Sequence, residues 1–217
     1  MKLLSVGLAR ALWFMDVNEL NPGGKDLHTH LFPSLLEDYK FRTYPKQGDD
    51  LVEGMKFTLG EWVRDDGTVL PLNVTIFKDG IAADTWSSTK DSEEFLEAVL
   101  GELPGLGFAY DPEMVRRKAY LSQLNVKCSK QLHALNPGLA EFAGHVSSVV
   151  DGTAFDLAAI ELWPDQAHVL KPANFSFQRK IGEPLDSDRY WSQAPVPTDT
   201  HLELLEHLES LLSGQPA

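Results

Sequence analysis

The stretch Leu70-Pro-Leu-Asn-Val-Thr-Ile-Phe77, Lys78-Asp79-Gly80, Ile81-Ala-Ala-Asp-Thr-Trp86 decides the fold. Apolar and polar residues alternate through its first segment, as they do in a half-buried strand. An Asp-Gly pair between two such runs can reverse the chain within two residues, so sequential strands are expected to pair antiparallel. Upstream, a short strand from Lys40 to Tyr44, a longer one from Val52 to Val63 and the Asp65-Asp66-Gly67 turn extend the pattern into a meander. Downstream, Ser87-Ser-Thr-Lys-Asp91 offers helix N-caps, and Phe95, Leu96, Val99, Leu100 and Leu103 recur at helical spacing.

The flanking sequence repeats this theme in other residues. Ala9 to Val17 is a strand or a short helix; a strand would place Ala11, Trp13, Met15 and Val17 on one face. Asn21-Pro22-Gly23-Gly24 is a breaker, and Asp26 then stands where a cap would serve a helix carrying Leu27, Leu31, Leu35 and Leu36; Pro33 falls inside that run, so the alternative is a helix that begins at Pro33. A strand is expected from Lys118 to Ser129, followed by a helix opened by Asn136-Pro137, with Leu139, Phe142, Ala143 and Val146 as its apolar stripe. Strands are expected at Thr153 to Trp163, around Ala167 to Leu170 and at Phe175 to Ile181, and Ser187 to Pro195 reads as a polar loop. A capping box of Thr200 and Glu203 opens the last helix, whose Leu202, Leu205, Leu208 and Leu212 form one face.

These elements predict an α+β protein: a mostly antiparallel sheet of about six or seven strands with three to four helices packed against it. The 217 residues are expected to form a single domain, 1–217, and a subdivision would fall near 108–112.

The formal charge of −13 is spread along the chain rather than gathered in a tail. Such a field opposes phosphate backbones and anionic lipid, so nucleic acid and membranes are poor partners and a basic protein is a good one. The basic clusters Arg116-Arg117-Lys118 and Arg179-Lys180 are short enough for neighbouring carboxylates to neutralise. Cys128 is the only cysteine and shares a strand face with Leu124 and Val126, the setting of a buried structural thiol. No run approaches the ~20 apolar residues of a membrane-spanning helix. Arg10 interrupts the apolar start of the chain, so residues 1–15 are expected to be the first structured element rather than a leader, and the location to be cytoplasmic.

Two groups of residues could carry function. Asp26-Leu27-His28-Thr29-His30-Leu31 resembles the metal-binding word of the amidohydrolase and histidinol-phosphatase-like hydrolases; the resemblance covers six residues and implies His28 and His30 as metal ligands. Tyr190 and Trp191, with Glu203 and Glu206 on the polar face of the last helix, are candidate partner-binding residues, since Tyr and Trp suit surfaces half apolar and half wet. His201 and His207 lie about 120° apart around a helix and cannot share a metal. Asp156 and Glu161 lack the lysine of a metal-dependent nuclease, and neither a Gly-x-Ser-x-Gly elbow nor a phosphate-binding glycine loop is present. The expectation is therefore a non-enzymatic cytosolic protein, without cofactor, that binds another protein as a regulatory, inhibitory or complex-forming subunit. The alternative is a metal-dependent hydrolase using His28 and His30.

Overall fold

The computed structural model describes residues 1–46, 53–165, 167 and 171–214. It is an α+β protein with one antiparallel sheet of eight strands and five helices, slightly more of each than the sequence suggests. The strands are β1 (Lys2–Phe14), β2 (Met55–Val63), β3 (Val69–Phe77), β4 (Gly80–Thr85), β5 (Arg117–Lys127), β6 (Ala159–Leu162), β7 (Phe175–Arg179) and β8 (Arg189–Ala194), in the order β2-β3-β4-β1-β5-β8-β7-β6. The helices are α1 (Leu27–His30), α2 (Phe32–Tyr39), α3 (Thr89–Glu102), α4 (Pro137–Val149) and α5 (Thr198–Leu212). The chain divides into two compact units, Leu8–Leu121 and Met1–Gly7 with Ser122–Ala217.

In the unit Leu8–Leu121, Ala11 lies opposite Ala83, Trp13 opposite Ile81, Val74 opposite Ala83 and Phe57 opposite Val74, so period-two alternation brings every one of them to a single buried face. Phe95, Leu96 and Leu100 of α3 cover that face, as their spacing predicts. Ser88 caps α3 by accepting from the Asp91 N–H. Arg64, from the β2–β3 turn, clasps Asp91 at 2.5 Å and Glu94 at 2.6 Å, fixing that turn to the helix. On the opposite face Arg10 holds the buried Asp84 through two bonds of 2.6 and 2.8 Å, and this pairing raises the guanidinium pKa further.

The β3–β4 hairpin forms with a different turn from the one its Asp-Gly pair suggests. Phe77 pairs with Gly80, so the two-residue loop is Lys78-Asp79, and neither residue has a positive φ. Gly80 is needed for space: a Cβ there would sit 2.6 Å from the Trp13 carbonyl oxygen on β1. The expected strand from Lys40 to Tyr44 is also absent. Lys40 ends α2 in the left-handed region, Phe41 turns into the core, and only the bridge Thr43–Thr58 forms. A bulge at Thr58-Leu59 faces that bridge, with the Leu59 N–H donating to Asn73 Oδ1 at 2.8 Å.

The second unit repeats the plan: strand, helical segment, three strands, helix. Thr198, His201, Leu205 and Leu212 are buried at the same mutual spacing as Thr89, Ser92, Leu96 and Leu103 in the first unit, so α5 is the counterpart of α3. Ser187 to Pro195 is not a loop. Arg189–Ala194 is β8, paired with β5 on one side and β7 on the other, and Tyr190, Ser192 and Ala194 point into the core. Of Thr153 to Trp163 only Ala159–Leu162 is strand, and the expected strand at 167–170 lies outside the described residues except for Ala167. The helix α5 begins at Thr198 behind Pro197, which leaves Thr200 and Glu203 inside the helix rather than at its cap.

Candidate functional site

His28 and His30 lie on the single-turn helix α1, where Asp26 accepts from the His28 N–H at 3.1 Å and from the Thr29 hydroxyl at 2.6 Å. Those bonds hold the Asp26 carboxyl below the usual carboxylate range. Both imidazoles are exposed, and the His28 ring packs edge-on against Phe32. Among the described residues no group of three or more His, Cys, Asp or Glu side chains converges as metal ligands. His28→Ala with His30→Ala is expected to change stability by no more than about 1 kcal/mol in urea melts, as for exposed positions generally. Stoichiometric metal in the purified protein, lost in the double variant, would contradict this reading.

The concavities of the unit Leu8–Leu121 include two with distinct chemistry. One is an apolar cavity of about 220 Å³ between the sheet, α3 and the segment Val17–Leu35, walled by Phe57, Val74, Phe95 and Leu103 among others. The other is an open groove of about 700 Å³ where Asp38, Asp65, Asp66, Glu94, Glu97 and Glu102 surround Trp62, Tyr39 and Arg64. The Tyr39 hydroxyl donates to Glu102 at 3.2 Å, and burial together with that carboxylate pushes its pKa up.

The second unit presents apolar surface instead. The stripe expected to pack α4 is present, yet no residue of α4 is buried: Phe142 is 63 % exposed and Val149 69 %. In the first unit the helix at the corresponding place, α2, buries Phe32, Leu35 and Tyr39. The edge strand β6 ends in Leu162 and is followed by Trp163, 62 % and 70 % exposed. The other edge strand, β2, is covered along part of its length, because Thr58 exchanges backbone hydrogen bonds with Thr43 and its carbonyl also accepts from Arg42. Among the described residues no backbone covers the outer edge of β6 in this way.

The candidate partner-binding residues are separated by burial. Tyr190 is fully buried and stacks on Phe177 with ring centroids 4.5 Å apart. Trp191 faces the opposite side of β8 and is half-buried, while Glu203 and Glu206 are exposed on α5.

A Ser-His pair that the sequence does not announce lies in the core of the same unit. Ser192 Oγ is 2.8 Å from His201 Nε2 and donates its proton to the Ser176 carbonyl at 2.8 Å. The hydroxyl therefore accepts from His201 Nε2–H, which makes Nδ1 the bare nitrogen, buried with no donor facing it. A histidine that donates to the serine cannot also take its proton, so this pair braces the fold and does not activate a nucleophile. Burial depresses the His201 pKa to about 4, consistent with a neutral ring.

Three of the five residues in the basic clusters meet carboxylates, while Arg117 lies over the Phe14 ring. Arg116 reaches Glu19 at 3.2 Å, Lys118 reaches Glu93 at 2.9 Å, and Arg179 is held by Asp156 at 2.7 Å and by the Leu157 and Leu185 carbonyls. Burial alone would raise the Asp156 carboxyl, but the Leu157 N–H and Arg179 hold it below the usual range. Cys128 is buried, and burial pushes its thiol pKa up, away from reactivity. Among the described residues no helix is long and apolar enough to cross a membrane. Comparison with protein-family models and with curated proteins finds no match to this chain.

Proposed function

We propose that the protein acts by binding another protein, a basic one, through the apolar surface of the unit formed by Met1–Gly7 and Ser122–Ala217. The observation that carries this reading is α4, a 13-residue helix with an apolar stripe at helical spacing and no buried side chain. An amphipathic helix gains most of its stability from packing that stripe; here Ala143 and Val146 are half-buried while Leu139 and Phe142 stay exposed, a surface that a partner can cover. Among the described residues no backbone pairs with the outer edge of β6, so an extended segment of a partner can use its donors and acceptors.

Charge supports a basic partner over a second copy. Each chain carries −13, so two copies repel, whereas a cationic surface is attracted and oriented as it approaches. The groove of six carboxylates beside the half-buried Trp62 offers lysine and arginine side chains ion pairs and one aromatic face. Phe142→Ser with Trp163→Ser should leave the melting curve nearly unchanged, because both side chains are exposed. The same double variant should lower recovery of the wild-type partner in affinity capture by about tenfold or more, as for loss of central aromatic anchors. Equal recovery by both proteins would overturn the reading, as would wild-type protein that captures only itself.

A further inference from the structure

The apolar cavity in the unit Leu8–Leu121 is walled mostly by buried residues and is partly open to solvent. Of the residues around it only Asn18 and Gly24 are exposed, so the way in lies there, next to the Asn21-Pro22-Gly23-Gly24 breaker. The wall on that side is not a long helix but a 3₁₀ turn (Val17–Leu20), a loop and the single turn α1. Asn21 ties this loop to Lys25, with its Nδ2 donating to the Lys25 carbonyl at 2.8 Å and its Oδ1 accepting the Lys25 N–H at 2.9 Å. The rest of the wall is sheet and α3, rigid and apolar, with Phe57, Val74, Phe95 and Leu103 turned inward.

We propose that this cavity is a binding site for an uncharged, apolar small molecule of roughly eight to ten carbon atoms. A 150 Å³ apolar cavity accommodates benzene, so about 220 Å³ suits a molecule half as large again. Among the described residues no charged side chain lines the cavity, so a charged ligand would lose its hydration without a counter-ion there. Polar capacity is confined to the mouth. Asn18 donates its Nδ2 to Asp16 at 3.0 Å, which leaves Oδ1 to accept from one hydroxyl or amide hydrogen of the ligand. Lys25, beside the lining residue Phe108, is already engaged: its ammonium donates to the Gly107 carbonyl at 2.7 Å and lies 5.4 Å from the centre of the Phe108 ring. The site is in the other unit from α4, so it stands independently of the protein-binding reading.

The test is titration of the full chain with octan-1-ol, n-butylbenzene and octanoate, read by methyl resonances and by thermal melting. Octan-1-ol and n-butylbenzene should each saturate at one equivalent, shift the methyl signals of Leu27, Val99 and Leu103, and raise Tm by about 5 °C at a hundredfold excess over Kd. Val99→Phe, which projects a ring into the cavity, should weaken both by tenfold or more while leaving the free protein folded. Leu27→Phe, at the half-buried margin, should do the same and serves if the first variant does not fold. Absence of saturable binding by either neutral probe would overturn the proposal, and so would retention of binding in the folded variants. Tighter binding of octanoate than of octan-1-ol would overturn the assignment to an uncharged ligand.

Discussion

Leu205→Asp is expected to unfold the unit made of Met1–Gly7 and Ser122–Ala217. Leu205 is 1 % exposed and belongs to a small core with Leu124, Val126, Cys128, Phe177 and Tyr190. The substitution removes a buried side chain and places a carboxylate in an apolar core, for a combined loss of about 4 kcal/mol or more. Domains of this size have little more than that in total. Hydrogen exchange resolved by residue should show the amides of β5, β7, β8 and α5 losing protection. A variant that keeps those amides protected would mean that α5 does not hold the sheet.

The second large effect is on acid stability. His201 titrates at about 4 in the folded protein and near 6.5 when unfolded, so between those values the unfolded chain binds more protons. Stability is therefore complete above about pH 6.5 and is lost as the pH falls toward 4, by roughly 3 kcal/mol over that window. The depressed Asp156 works at lower pH: its contribution is lost only as the pH drops through its folded value, below that of an ordinary carboxylate. His201→Gln keeps an N–H donor for Ser192 and removes the titration. Urea midpoints of the wild type should fall steeply from pH 6.5 to 4.5, whereas those of the variant should stay nearly level. Parallel curves would show that the imidazole is not what senses acid.

Both effects involve residues whose environment the sequence conveys unevenly. Phe95, Leu96, Val99 and Leu100 announce a packed helix because period 3.6 persists over several turns, and Ala11, Trp13 and Met15 announce a strand face by period two. The strand β8 was hidden because Ser192 on its buried face and Gln193 beside it read as polar loop; the Ser176 carbonyl and His201 together satisfy the buried serine. Asp79-Gly80 pointed correctly to a hairpin through a turn that is not formed, since space beside Trp13, rather than a positive φ, requires that glycine. The apolar stripe of α4 was legible, but whether a stripe faces the protein's own core or a partner depends on neighbours far away in sequence. The cavity was illegible for a related reason. Its walls are ordinary core residues, and a void arises from how they meet, not from which they are. The six carboxylates of the groove are scattered from Asp38 to Glu102 and gather only through the fold.

Partner binding at α4 is tested most directly by replacing Phe142, one position at a time with Thr68 as the exposed control in the other unit, by a photo-crosslinking phenylalanine analogue in the native cell. The predicted result is a discrete adduct from position 142 with a basic protein, absent from position 68 and diminishing when lysates are irradiated above physiological salt, where screening shortens the Debye length below about 8 Å. Adducts of equal yield from both positions, or none from position 142, would contradict it.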